Sequence, residues 1–219
     1  TVVVIPSKIN DVTVETIGNT AFQNSAVTSV TIPDSVTAIY SGAFANCSQL
    51  TNISIPNSVT YIGFSAFNSC TSLKSITLPS SLSSISEALF FGCSQLTTIH
   101  IPVSVTSIGN YAFADCPSLM TVTYPGSKTQ WDDDITKGSN NDVLENHLIC
   151  AKLEATFTAD GTTLAPAQTI DRGGKFTEPA APSKENHTFA GWYNGDEKFD
   201  FGADTTNAPN VLELVAKWT

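Results

Sequence analysis

A mainly β solenoid of stacked coils, followed by a small separate module, is the architecture this sequence predicts, and three observations predict it. Pro33, Pro56, Pro79, Pro102 and Pro125 recur every 23 residues, and Phe44, Phe67, Phe90 and Phe113 keep the same interval, as do Cys47, Cys70, Cys93 and Cys116. A fixed period in the twenties is the mark of stacked coils. The stretch before each proline alternates, as in "LTNISIP", where Ile53 and Ile55 stand between Asn52 and Ser54; period 2 belongs to a strand with one buried face. The rhythm then stops and the charge changes: only Asp11, Glu15, Asp34, Glu87 and Asp115 are acidic before Pro125, and the other acids follow it.

Each element follows from its own residues. The first coil, "IPSKINDVTVETIGNTAFQNS", is longer than the others between Pro6 and Pro33 and carries Ser25 where later coils carry cysteine. In the regular coils Val36, Ile39, Ala43, Phe44, Cys47, Leu50, Ile53 and Ile55 define columns that stay apolar in every copy. One coil cannot bury them alone, so coils must stack. Each contributes a parallel strand, ended by a proline that has no N–H for the ladder. "SVTSIG" then turns Val105 and Ile108 inward, and "NYAFADC" is expected to hold Ala112 and Phe113 in a short helical turn.

This unit resembles the BspA-type, or treponemal class, leucine-rich repeat, with five copies between Ile17 and Pro125. The resemblance implies a right-handed leucine-rich-repeat solenoid. "YPGSKTQWDDDITKGSNNDVLENHLIC" looks like the closing segment of such arrays, with Trp131 expected as the plug; an open end would present an unpaired strand edge. The expected solenoid is residues 1–151, with its cap at 126–151, and the second module is 152–219.

In that module "EATFTADG", "FAGWYNGDEKFDF" and "VLELVAKWT" read as strands broken by Asp-Gly, Asn-Gly and Gly-Asp turns, with Leu212, Leu214, Ala216 and Trp218 inward. Its residues Gly173, Pro179, Pro182, Phe189, Gly191, Trp192, Phe201 and Trp218 resemble the Listeria-Bacteroides, or internalin B-type, repeat. That resemblance implies a small β-grasp-like α+β fold in a bacterial cell-surface or secreted protein.

Chemistry is sparse. A net charge of -10 and a pI near 4.5 disfavour nucleic acid and anionic membranes. No apolar run approaches the roughly 18 residues of a membrane span, and the sequons at Asn46, Asn52 and Asn186 arise readily in a Ser/Thr/Asn-rich chain. His100, His147 and His187 lie in unrelated contexts, and "GSKTQW" lacks the glycines of a phosphate loop. No enzyme, cofactor or metal is therefore expected. Asp132, Asp133 and Asp134, with Asn140, Asn141 and Asp142, could supply oxygen ligands to calcium, although a solvated acidic loop is the favoured reading. Zinc would need close ligand spacings that are missing. Stacking at about 4.8 Å puts successive cysteines within Cα range of a disulfide. A bridge, however, wants Cβ atoms about 3.8 Å apart, so buried free thiols are expected, with Cys150 a core residue at the end of the cap.

Recognition is better supported. Outward strand positions form columns: Ser29 and Thr31, Asn52 and Ser54, Ser75 and Thr77, Thr98 and His100, Thr121 and Thr123. Rings also break the repeat: Tyr40 against Gly63, Ser86 and Gly109; Tyr61 against Ala38, Ser84 and Ser107; Phe64 against Ser41, Glu87 and Asn110; Phe91 against Ala45, Asn68 and Ala114. Rings that serve no shared core are candidate contacts. The candidate partner-binding residues are thus Tyr40, Tyr61, Phe64, Phe91, Asn52, Ser54, Thr77, Thr98, His100 and Thr123. The family resemblance implies adhesion to host matrix protein or other cells; a structural stalk and glycan binding are the alternatives.

Overall fold

The computed structural model describes residues 1–219. The chain forms two compact units, Thr1–Tyr124 with Asp132–Ile149, and Pro125–Trp131 with Cys150–Thr219.

In the first unit every coil contributes two short strands. The first row runs Val2–Val4, Ser29–Thr31 and Asn52–Ser54 in one parallel sheet, then Ser75–Thr77, Thr98–His100, Thr121–Tyr124 and Leu148–Cys150 in another. The second row runs Thr16–Ile17, Ala38–Ile39 and Tyr61–Ile62, then Ser84–Ile85, Ser107–Ile108 and Thr136–Lys137. Between the rows lie the turns, and there the expected short helical turn is a run of tight turns closed three residues back, Ala45 N–H to Gly42 O and Cys47 N–H to Phe44 O. Left-handed residues bracket each run, as Gly42 and Asn46 or Tyr111 and Asp115 do. The extra length of the first coil is a hairpin, Lys8–Ile9 with Val12–Thr13. Asn10 and Asp11 both have positive φ at its tip, the conformation whose twist suits a two-residue connection.

The core consists of columns. Phe22, Phe44, Phe67, Phe90 and Phe113 stack with ring centroids 5.1, 5.4, 5.7 and 5.3 Å apart. Beside them the four repeat cysteines each donate a thiol to the phenylalanine carbonyl of the coil before: Cys47 to Phe22 O at 2.9 Å, and Cys70, Cys93 and Cys116 to Phe44, Phe67 and Phe90 O at 3.2 Å. A column of serines does the same on the other side, Ser35, Ser58, Ser81 and Ser104 donating to the preceding coil at 2.7 Å. All five cysteines are free and buried.

One coil interface differs from the rest. No backbone ladder bond joins Asn52–Ser54 to Ser75–Thr77, or Tyr61–Ile62 to Ser84–Ile85, so both rows break together. The turns still bond across it, Phe67 N–H to Leu89 O at 3.0 Å and Ser69 N–H to Phe91 O at 2.7 Å, while the Phe67–Phe90 spacing of 5.7 Å is the widest of the four. Elsewhere Gly63, Gly109 and Gly138 donate N–H to Ile39, Ile85 and Ile108 O at 2.7–2.8 Å. A Cβ at Gly109 would stand 2.4 Å from Glu87 N, so the coils meet there through bare backbone. Ser86 occupies this column at the break, and its hydroxyl takes Ile62 O in place of the amide. Tyr40 also carries a Cβ in the column but keeps its N–H on Ile17 O, so the competing hydroxyl distinguishes Ser86.

The second unit is a five-stranded mixed sheet in the order Thr162–Asp171, Lys152–Ala159, Val211–Trp218, Phe189–Asn194, Glu197–Lys198, with the Lys152–Ala159 and Val211–Trp218 pair parallel. Asp160 and Gly161, both at positive φ, close its first hairpin. One face buries Leu153, Ala155, Phe157, Trp192, Leu212, Leu214 and Ala216, and Trp218 is half-buried against Phe189. The chain from 172 to 188 is irregular and carries Phe176 into this core. Arg172 ties the loops together, donating to Cys150 O at 2.8 Å and Ala208 O at 2.6 Å.

Candidate partner-binding surface

The structure sorts the candidate residues onto two surfaces of the solenoid. On the first row, Asn52 and Ser54 pair with Ser29 and Thr31. Across the break, Thr98 sits between Ser75 and Thr121, and His100 between Thr77 and Thr123. The His100 Nδ1 and Thr123 Oγ1 atoms are 2.9 Å apart, so these neighbours are joined. Thr51 and Thr97, one residue before the strands, donate to carbonyls of the preceding coil at 3.0 and 3.1 Å. Much of the hydroxyl content therefore links coils, and the outward columns of this row carry no formal charge.

The rings belong to the second row and the turns. Tyr40 and Tyr61 are exposed, with centroids 6.1 Å apart, and Phe64 is 52% exposed. Gly63 lies between Tyr61 and Phe64 in the chain and abuts the Tyr40 backbone, so the three ring-bearing residues gather on two adjacent coils. Phe91 stands apart in the turn column, half-buried.

Phe64 also borders a hollow of about 340 Å³ over the turns of three coils, with Gln23, Ser41, Asn46, Ser65 and Asn68 in its wall. A larger one, about 710 Å³, lies nearer the other end and includes Phe113, Asp115, Pro117, Asp142 and Val143. Sequence reading did not find either hollow, because the first is assembled from three successive coils and the second from four. It also passed over Val103, Tyr111 and Met120, which are exposed; Met120 aligns with Thr97 and Tyr111 with Ala88, and that substitution within a column was the available signal.

Burial raises the thiol pKa values from the usual 9.0, Cys70 to about 12 and Cys116 to about 11, and Cys93 upward as well. These thiols are packed hydrogen-bond donors and not nucleophiles. No three His, Cys, Asp or Glu side chains are placed to share a metal ion. In the acidic loop Asn141 is already committed: its amide donates to Gly109 O at 2.9 Å and Gly138 O at 2.8 Å, and its oxygen accepts Phe113 N–H at 3.1 Å. No helix is long and apolar enough to cross a membrane.

Residues 15–141 match the BspA type leucine rich repeat region in 6 copies, and residues 154–217 match the Listeria-Bacteroides repeat domain. The sixth copy reaches into the segment around Thr136–Lys137, which pairs with Ser107–Ile108 as a further coil would. A leucine rich cell surface protein of Faecalibacterium prausnitzii is 40% identical over 62% of this chain, with a TM-score of 0.57, and the match covers 35% of that protein. A leucine-rich repeat protein of Eubacterium ventriosum is 29% identical over 57% of this chain, with a TM-score of 0.52 and 34% of its own length covered. A putative Gly-rich membrane protein of Evansella cellulosilytica is 32% identical over 91 residues, 40% of this chain and 10% of its own. The chain thus spans about a third of these solved relatives and a tenth of the curated one.

Proposed function

From the BspA-type leucine-rich-repeat family, to which this chain belongs, we propose that it is a non-enzymatic bacterial binding protein, displayed at the cell surface or secreted, whose solenoid adheres to extracellular-matrix protein or to other cells. The observation that carries this reading is the group Tyr40, Tyr61 and Phe64, exposed where other coils hold small or polar side chains. Exposed aromatic surface on a rigid scaffold favours partner contact. The uncharged first-row columns would add many weak contacts, and display in many copies would convert weak contacts into avidity.

The test is capture of the full chain on a panel of matrix proteins and whole cells, alongside Tyr40→Ser and Tyr61→Ser combined. Saturable capture that falls at least tenfold in the variant, with the circular dichroism unchanged, supports the reading. Capture indifferent to both substitutions removes the rings from the site. The second reading, a stalk or spacer with recognition elsewhere in a longer protein, is favoured by the small share of each relative that the chain spans. It predicts no capture by the wild-type chain.

A further inference from the structure

We propose that the hollow beside Phe64 is a binding site for a neutral saccharide. The inference rests on the reading that this side of the solenoid binds partners, and it names a ligand chemistry for one part of it. A cavity of about 340 Å³ lies within the range of small-ligand sites and has room for one or two sugar rings. Its wall offers what a sugar needs. Phe64 presents more than half its surface to solvent, which suits the apolar C–H face of a pyranose. Around it stand the side-chain amides of Gln23, Asn46 and Asn68 and the hydroxyls of Ser41 and Ser65. Each of these groups both donates and accepts, which matches hydroxyls that do the same.

The amides are poised for this. Asn46 sits at φ 58 in the left-handed position after the turn, and neighbouring coils stack there through Asn24 N–H to Ala45 O and Asn46 N–H to Asn68 O. The backbone therefore fixes where the amides are displayed. The side chains of Gln23 and Asn46 are exposed and make no hydrogen bond within the chain, while the Asn68 oxygen accepts the Ser69 hydroxyl at 2.8 Å and leaves its NH₂ available. Other coils cannot reproduce the site, because the positions equivalent to Phe64 are Ser41, Glu87 and Asn110.

Charge selects the class. No ionisable side chain lines the hollow, and the chain carries a net -10. With no Arg or Lys to pair with a carboxylate or sulfate, anionic sugars are repelled by the long-range field and gain nothing locally. The ligand is an uncharged hexose or N-acetylhexosamine unit.

The experiment is an NMR amide-shift titration of the full chain with four probes at up to 10 mM: cellotriose, chitotriose, methyl α-mannoside and N-acetylneuraminic acid. Expected are saturable shifts at Gln23, Ser41, Asn46, Phe64 and Asn68 with at least one neutral sugar and none with the acid. Affinity should fall at least tenfold in Phe64→Ala and in Gln23→Ala, and stay within twofold in Leu164→Ser, an exposed residue of the second unit outside the hollow. No shift with any neutral sugar, shifts that survive Phe64→Ala, or equal binding of the acid would overturn the proposal. Loss of protein capture in the Tyr40→Ser and Tyr61→Ser chain is a separate readout, so either proposal can fail alone.

Discussion

A thiol in the Cys70 position is both filler and donor, because Phe44 O accepts the Cys47 amide at 3.2 Å and the Cys70 sulfur at 3.2 Å. Replacing Cys93 with alanine removes a donor and leaves a small void, so it should cost about 1–2 kcal/mol in urea unfolding. Phe67→Ala removes a fully buried ring from the stack and should cost about 3–5 kcal/mol. Alkali acts on the thiols with a defined sign. Their folded pKa values lie above the unfolded value near 9.0, so the native state holds protons that the unfolded state has released. Their contribution is intact below pH 9 and is lost as pH rises toward 11 for Cys116 and 12 for Cys70, by about 1.4 kcal/mol per thiol per pH unit. Unfolding measured at pH 8, 9.5 and 10.5 should therefore show a shallower alkaline decline in Cys70→Ala than in the wild type; equal slopes would refute the linkage.

At the scale of the element, what decides behaviour is how one coil meets the next. Where both strand rows break, Ser83 and Ser86 lack the backbone partners that Thr60 and Gly63 find in Thr37 O at 2.9 Å and Ile39 O at 2.8 Å. Native-state hydrogen exchange should be faster at Ser83 and Ser86 by tenfold or more, and Ser86→Gly, by freeing Ile62 O, should slow it. The coil itself was legible in the sequence, since the same apolar columns return in every copy and each strand carries its own alternation. The Lys8–Thr13 hairpin was visible only as excess length, because it interrupts the period that made the rest readable. The break was not legible: Ser86 for glycine looks neutral until Gly109 is seen pressed against Glu87. The rings were found because they violate a column. The hollow beside Phe64 was missed because Gln23, Asn46 and Phe64 come from three coils and share no motif.

At the scale of the whole molecule, a pI near 4.5 places the solubility minimum there, and turbidity against pH should peak between about 4 and 5. The five buried cysteines have a larger consequence. Folded, the protein offers oxidants almost nothing, because each sulfur is enclosed and those of the ladder keep their protons. Unfolded, it becomes a chain with five competent thiols, and in an oxidising medium these would pair at random, since no native bridge guides them. Unfolding there becomes a one-way event, and the lifetime of the molecule is set by how rarely it opens. Heating and cooling in oxidised glutathione should recover little native protein, whereas the same cycle in a reductant should recover most of it.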